Sequence, residues 1–301
     1  MNSNGLIGIV TVLYNSAPVL KEFFESLEHQ SYKNFVLFVV DNKSTDNSVP
    51  ETKQLMKNVN FKTILIEEQE NWGVAKGNNI GIKAALKYGC DFVLLSNNDI
   101  VLEINTIEVL LKELLDNKVS MIVPKIYFWN TNKIIWAAGG YFQTLDCTTR
   151  HTGYRKKDSS IYNIIKEVKY SPTCFMLIEK SLFERIGYMD ENYFVYCDDA
   201  DFLWRSTIIG NERLLYCPSS IVWHKESFST GGKLSDFSVY YVTRNRVYFA
   251  YKHFTLGQRY ILYFALLAHV VVKDLWVLSW KQLGILKKGF LDGLKLSKSI
   301  V

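Results

Sequence analysis

Ser96-Asn97-Asn98-Asp99 breaks an apolar run, with Phe92-Val93-Leu94-Leu95 before it and Ile100-Val101-Leu102 after it. A short apolar run bounded by polar turn formers reads as a buried strand of a parallel sheet. Open α/β sheets bind ligands at the carboxyl ends of their strands, which sets Asp99 at the lip of a crevice. A carboxylate flanked by amides there suits a divalent cation holding phosphate oxygens. The same residues also suit the opening of a helix, with Asn or Asp as its cap before Ile100-Val101-Leu102-Glu103.

Two more clusters of this kind follow apolar runs. Asp41-Asn42-Lys43-Ser44-Thr45-Asp46-Asn47-Ser48 comes after Phe35–Val40, and Asn71-Trp72-Gly73-Val74-Ala75-Lys76-Gly77-Asn78-Asn79-Ile80-Gly81 comes after Lys62–Glu67. Asp41 at a strand end can accept hydrogen bonds from a ribose hydroxyl or a base N–H, or it can make an Asx turn before the next helix. The spacing of Gly73, Gly77 and Gly81 is not the dinucleotide fingerprint, and no Gly-Lys-Ser/Thr phosphate loop occurs, so nucleotide binding must use another scheme.

The elements that must position these residues alternate. Leu6–Leu13 reads as a first strand, Val19–Gln30 as a helix led by Pro18, and Phe35–Val40 as a second strand. A helix to about Val59, a strand over Lys62–Glu67 and a helix ending near Gly89 then lead to the strand that carries Asn98-Asp99. Strands alternating with helices of this length make βαβ units and a parallel sheet, with the polar clusters on one edge.

Composition bounds the rest. The chain has 301 residues, 48% of them apolar and 22% charged, enough for one large domain with an appendage. Its five Cys lack any C-x-x-C spacing and read as free thiols in a reducing compartment. No basic leader precedes the first strand, which points to a cytoplasmic location. The net charge of +5 is concentrated in the tail: residues 252–301 hold eight Lys or Arg against two Asp or Glu. A nearly neutral body argues against a nucleic-acid surface.

Taken together, these motifs resemble those of the family 2 inverting glycosyltransferases, in that family's order and spacing. The resemblance begins at Thr11-Val12-Leu13-Tyr14-Asn15 and runs through Val40–Asp46, Asn71–Asn78 and Leu95–Asp99. It continues through Ile135-Trp136-Ala137-Ala138-Gly139-Gly140 and Pro172-Thr173-Cys174-Phe175-Met176-Leu177-Ile178. It is most specific at Gly187–Glu191 and Tyr196-Cys197-Asp198-Asp199-Ala200-Asp201-Phe202-Leu203-Trp204-Arg205, and ends at Val222-Trp223-His224. The fold implied is GT-A: α/β, with a Rossmann-like, mostly parallel sheet flanked by helices and a C-terminal helical extension. The implied division is a donor half over about 1–102, an acceptor half over about 103–250, and a tail over 251–301.

The resemblance also implies roles. Asp199 becomes the base that deprotonates an acceptor hydroxyl, and Asp198 and Trp204 face the acceptor. Burial and mutual repulsion of clustered carboxylates fit a raised pKa for such a base. A sugar nucleotide would be held by Thr11, Tyr14, Asn15, Asp41, Asn42, Asp46, Asn71, Gly73, Lys76, Asn78, Asn98 and Asp99. Asp99, with His224, would bind Mg²⁺ or Mn²⁺. Asn97 stands where the family's metal motif has its first acid, so the diphosphate would supply much of the metal's coordination. As simpler readings, Asp198 and Asp201 cap a helix and Cys174 is a buried structural thiol. Phe228-Ser229-Thr230-Gly231-Gly232 reads as a lid.

The Gln-x-x-Arg-Trp motif of processive synthases is absent. The one candidate membrane span, Tyr260–Trp280, is interrupted by His269, Lys273 and Asp274. The tail reads either as helices lying on an anionic inner leaflet or as helices packed on the body or across a homodimer. Gly139-Gly140, Asn97-Asn98-Asp99 and Arg244-Asn245 most resemble a rhamnosyltransferase-like branch. That implies dTDP-L-rhamnose as donor and a surface-polysaccharide or lipid-linked glycan as acceptor, with UDP-hexose or UDP-N-acetylhexosamine as the other donors. The readings outside this one are a non-catalytic sugar-nucleotide-binding relative or scaffold, and a nucleotidyltransferase. The latter would want a glycine-rich basic loop after the first strand, where Tyr14-Asn15-Ser16-Ala17-Pro18 stands.

Overall fold

The computed structural model describes residues 5–144, 148–225, 235–269 and 279–298. Its first part follows the alternation read from sequence: β1 (Ile7–Leu13), α1 (Ala17–Glu28), β2 (Phe35–Asp41), α2 (Ser48–Leu55), β3 (Lys62–Glu67), α3 (Gly73–Tyr88) and β4 (Phe92–Ser96). β1 pairs in parallel with both β2 and β4, and β2 with β3. β2 is buried along its length, whereas the residues of β3 are half-buried or exposed, as befits an edge strand.

Two helix boundaries differ from expectation. α2 stops at Leu55 rather than near Val59. α3 begins at Gly73, so Lys76, Gly77 and Asn78 belong to its first turns and not to a polar loop. The reason is a close helix–sheet approach. A Cβ at Gly81 would lie 2.3 Å from Val10 Cγ1, and one at Gly77 would lie 2.8 Å from Val12 Cγ1. The glycines that look like loop punctuation in sequence are the contact surface of a helix laid on β1.

After β4 the expected parallel order gives way to a mixed sheet. β5 (Ile100–Leu102) follows, then α4 (Thr106–Asn117), β6 (Met121–Phe128), β7 (Ile135–Ala137) and a hairpin of β8 (Gly140–Gln143) and β9 (Thr148–His151). β10 (Lys166–Val168), β11 (Phe175–Glu179), α5 (Lys180–Ile186), α6 (Asp198–Trp204) and β12 (Leu214–His224) complete it. The sheet order is β10-β12-β6-β11-β4-β1-β2-β3, with β5 on β12 and β7 on β6. β11 lies antiparallel between β4 and β6, and β12 runs parallel to β6. The helical alternative for Ile100–Leu102 fails because these residues pair with Val222–His224.

Two apolar layers cover the sheet. On one face Ile7, Ile9, Leu37 and Leu94 pack with Phe23 and Leu27 of α1 and Leu110 and Leu114 of α4. On the other, Val10, Phe38, Val93 and Leu95 pack with Ile82 and Ala85 of α3 and Phe202 of α6. This is the period-2 division that a sheet covered on both sides requires.

Three further helices are α7 (Asp236–His253), α8 (Leu256–His269) and α9 (Trp280–Ser297). α7 runs through residue 250, so the domain boundary expected there cuts a helix. α9 packs on α7 at Gly289 and Gly293, where added Cβ atoms would lie 2.7 Å from the Tyr240 carbonyl and 2.6 Å from that of Arg244. Packing on the body therefore describes α9. The expected lid at Phe228–Gly232 and Cys147 lie outside the described residues.

Candidate active site

The carboxyl ends of β1, β2 and β4 open on two cavities of about 580 and 660 Å³. Asn97, Asp99, Val74 and Val195 line both. The smaller, on the β1–β2 side, is walled by Tyr14, Asn15, Asn42, Asn71, Gly73, Asn78 and Asn98, all expected at a donor site. The larger is walled by Asp198, Asp199, Trp204 and His224.

Local hydrogen bonds fix the first wall. Asn42 Nδ2 donates to the Gly73 carbonyl at 2.9 Å, and Asn98 Nδ2 donates to the Val12 carbonyl at 2.8 Å. Gly73 has φ +77°, and a Cβ there would lie 2.1 Å from the Phe194 carbonyl, so only glycine fits. Four expected residues do not line either cavity. Thr11 is buried, Asp41 accepts from the Ser44 amide at 3.1 Å, and Asp46 accepts from the Ala17 amide at 3.2 Å and the Ser48 hydroxyl at 2.5 Å. The Lys76 ammonium lies over the Trp72 ring, 3.1 Å from its centroid.

The junction of the cavities is made by a strand pairing. β5 and β12 run antiparallel with His224 opposite Ile100, and the Lys225 amide donates to the Asp99 carbonyl at 3.0 Å. His224 Nε2 thereby comes within 3.2 Å of Asp99 Oδ1. The two are not aligned for a hydrogen bond, and both ring nitrogens and Asp99 Oδ1 are buried without a partner. Buried polar atoms are rarely left so, and this pair fits a cation. Among the described residues no group of three or more His, Cys, Asp or Glu gathers; a cation held by Asp99 and His224 would take the rest of its shell from elsewhere, as from a diphosphate.

The second cavity is organised by α6. Tyr196 and Cys197, just before it, both have left-handed backbone, φ +64° and +63°. This strained turn is held by Asn245 Nδ2 of α7, which donates to the Val195 carbonyl at 2.7 Å and that of Tyr196 at 2.8 Å. Arg244 donates to the Asn192 carbonyl at 2.6 Å. The Arg244-Asn245 pair, noted in sequence only as a resemblance, braces the loop that presents the acids.

The three Asp of α6 have different environments. Asp199 is half-buried and accepts from the Tyr170 hydroxyl at 2.5 Å and the Ala200 amide at 2.7 Å. Burial raises its pKa, and the hydrogen bond from Tyr170 works against that rise. Burial, then the charge of Asp199, pushes Asp198 up to about 8. Burial and the neighbouring charge thus favour the proton on Asp198, while the Tyr170 hydroxyl and the Ala200 amide favour the charged form of Asp199.

Asp201 neither caps the helix nor reaches the cavity. Fully buried, it pairs with Arg205 at 2.8 Å, Lys252 at 2.8 Å and His253 at 2.7 Å. Burial opposes its charge, but the His253 hydrogen bond and the Arg205 and Lys252 charges prevail and hold it well below the usual range. Nor does Asp198 act as a side-chain cap. Cys174 lines the larger cavity beside Asp99. Burial, then the Asp99 and Asp199 charges, pushes its thiol well up, which makes it the inert thiol expected.

Sequence reasoning missed Tyr170, Arg150 and Arg246, which line the larger cavity, and His151, which stacks on Tyr170 at 6.0 Å. It also missed the aromatic wall of the smaller cavity, Phe194, Phe237 and Tyr241. None stands in a motif with a chemical signature, apart from the richness of the later chain in aromatics.

Comparison with known proteins gives concordant results. The sequence profile of Glycosyl transferase family 2 matches residues 8–187. Glycosyltransferase GlyG of Streptococcus pneumoniae serotype 4 is 24% identical over 232 residues, covering 74% of this chain and 72% of its own. A low-salt glycan biosynthesis hexosyltransferase of Haloferax volcanii is 25% identical over 244 residues, 80% of this chain and 74% of its own. Among solved structures, the mannosyltransferase PcManGT from Pyrobaculum calidifontis, in complex with GDP-Man and Mn²⁺, superposes with a TM-score of 0.60 at 16% identity. That superposition covers 98% of this chain and 83% of the other.

Proposed function

The chain belongs to glycosyl transferase family 2 and has a GT-A-like mixed α/β fold, and from this premise we propose that it is a non-processive inverting transferase moving a sugar from a nucleotide donor to a glycan hydroxyl. One observation carries the reading: Asp99 belongs to both cavities, and Asp199 stands on the wall of the second. A donor lying in the first cavity would bring its diphosphate to Asp99 and its anomeric carbon to the junction. In this division residues up to about 102 hold the donor, and those from about 103 to 250 hold the acceptor.

The acceptor hydroxyl enters from the second cavity and gives its proton to Asp199 as its oxygen attacks the anomeric carbon. The bond to the diphosphate oxygen breaks on the opposite side, inverting the configuration. Tyr170 and the Ala200 amide keep Asp199 charged and oriented before attack. Asp99 and His224 would hold Mg²⁺ or Mn²⁺. When bound, that ion supplies positive charge at the departing diphosphate. Asn42, Asn71, Gly73 and Asn98 shape the donor wall.

For the donor we put forward dTDP-L-rhamnose, with a surface-polysaccharide or lipid-linked glycan acceptor. The support is the resemblance of Gly139-Gly140, Asn97-Asn98-Asp99 and Arg244-Asn245 to a rhamnosyltransferase-like branch. Calorimetric titration with dTDP-rhamnose, UDP-glucose, UDP-galactose, UDP-N-acetylglucosamine and GDP-mannose, each with and without Mn²⁺, tests it. Metal-dependent binding of dTDP-rhamnose above the others is expected. Preference for another donor overturns the sugar assignment, and binding with neither transfer nor donor hydrolysis would make the chain a binding relative.

A further inference from the structure

We propose that α8 and the outer face of α9 form a surface that docks on an anionic lipid bilayer. α8 is apolar on two opposite sides. Its inner side is anchored by Leu262, fully buried, and its flank by Tyr263, whose ring packs on Phe290 at 5.3 Å. Its outer side presents Leu256, Tyr260 and Phe264, one stripe at four-residue spacing, with Tyr260 64% and Phe264 74% exposed. An apolar helix side is stable only when it is covered, and the described residues leave this outer stripe open.

α9 gives the covering its charge. Because Gly289 and Gly293 face α7, the other side of α9 is exposed at Trp280, Lys287, Leu291, Lys295 and Lys298, with Lys288 exposed at its edge over the Tyr240 ring. Trp280 is 87% exposed. Trp280 on the same helix face as exposed lysines, together with the exposed Tyr260 of α8, matches the headgroup layer of an acidic membrane, where ring and ammonium are both accommodated. A second copy of this chain is the poorer fit, since it would bring the same lysines against one another. No helix among the described residues is long and apolar enough to cross a membrane, and the docking proposed is in the plane of the bilayer.

The stripe starts beside the larger cavity. Phe254, which follows α7, lines that cavity, and Leu256 opens α8 two residues on. Docking there sets the cavity wall against the bilayer. On the transferase reading, it receives the head of an acceptor whose tail remains in lipid.

Co-sedimentation of the full chain with vesicles tests the proposal without donor, metal or turnover, so its failure is separate from any failure of the transferase reading. Binding to equimolar phosphatidylglycerol and phosphatidylcholine is expected, weakening with salt, with little binding to phosphatidylcholine alone. Tyr260→Ser with Phe264→Ser should weaken partitioning about tenfold or more. Lys287→Ala with Lys288→Ala should also weaken it about tenfold or more. Unchanged thermal melts would show that both variants fold. Failure of the folded wild type to bind acidic vesicles overturns the proposal, as does binding indifferent to both pairs of substitutions. A dimer that dissociates on Phe264→Ser would also overturn it, by making this face a contact between copies.

Discussion

The Tyr170 hydroxyl donates to Asp199 Oδ2 across 2.5 Å, from a ring buried against His151 and Phe142. Burial raises the Asp199 pKa and this bond restrains the rise. Removing it in Tyr170→Phe moves the pKa further up, so the base is charged over a narrower range. The acid limb of kcat/KM should shift to higher pH. An unmoved limb would leave Tyr170 with a packing role alone.

Asp199→Asn removes the proposed proton acceptor and preserves shape. Transfer should fall by about three orders of magnitude. Donor affinity, measured calorimetrically, should stay within about twofold, because Asp199 lines only the larger cavity. Turnover near wild type would move the base elsewhere.

Asp99→Ala should weaken Mn²⁺-dependent donor binding by about 10- to 100-fold, and His224→Ala by about tenfold. Chelation with EDTA should lower wild-type donor affinity in the same direction. Donor binding that ignores both substitutions and chelation would mean that the 3.2 Å Asp99–His224 approach holds no cation.

Asp198 provides a stability test with a defined sign. Its folded-state pKa, about 8, lies above the ordinary carboxylate value, so the unfolded chain releases this proton first as pH rises. The stabilisation from holding the proton is complete at acid pH, declines from the ordinary carboxylate range up to about pH 8, and is absent above. Asp198→Asn, neutral throughout, should raise Tm by about 5 °C or more at pH 9 and change it little at pH 4. Equal shifts at both pH values would contradict a proton on this residue.

Asn245→Ala leaves the Val195 and Tyr196 carbonyls without their donor at a left-handed turn. A loss of about 2–4 kcal/mol in unfolding free energy is expected. Transfer should slow, with donor affinity kept, as the loop bearing Asp198 and Asp199 loosens. Denaturant melts and kcat against donor KM would separate the two effects.

Much of the donor side is legible in the amino-acid sequence. β1 to β4 and their polar carboxyl ends follow from short apolar runs broken by Asn, Asp and Ser, a pattern written in neighbouring residues. Those ends meet on one edge because right-handed crossovers allow little else. The order of the motifs also points to the family.

What tertiary structure decided are the pairings between distant segments. Ile100–Leu102 is a strand because β12 is beside it, and the same pairing brings His224 to Asp99. β11 enters antiparallel between β4 and β6, which local periodicity does not encode. Asp201 is legible as an acid in a helix start, but of its partners Arg205, Lys252 and His253 the last two come from α7. Tyr170 and Asn245 have no motif, since a single hydrogen bond across the fold leaves no period in sequence. Local pattern fixes which elements form and which face they bury; burial and register against remote partners decide which carboxylate faces the cavity and which is a buried strut.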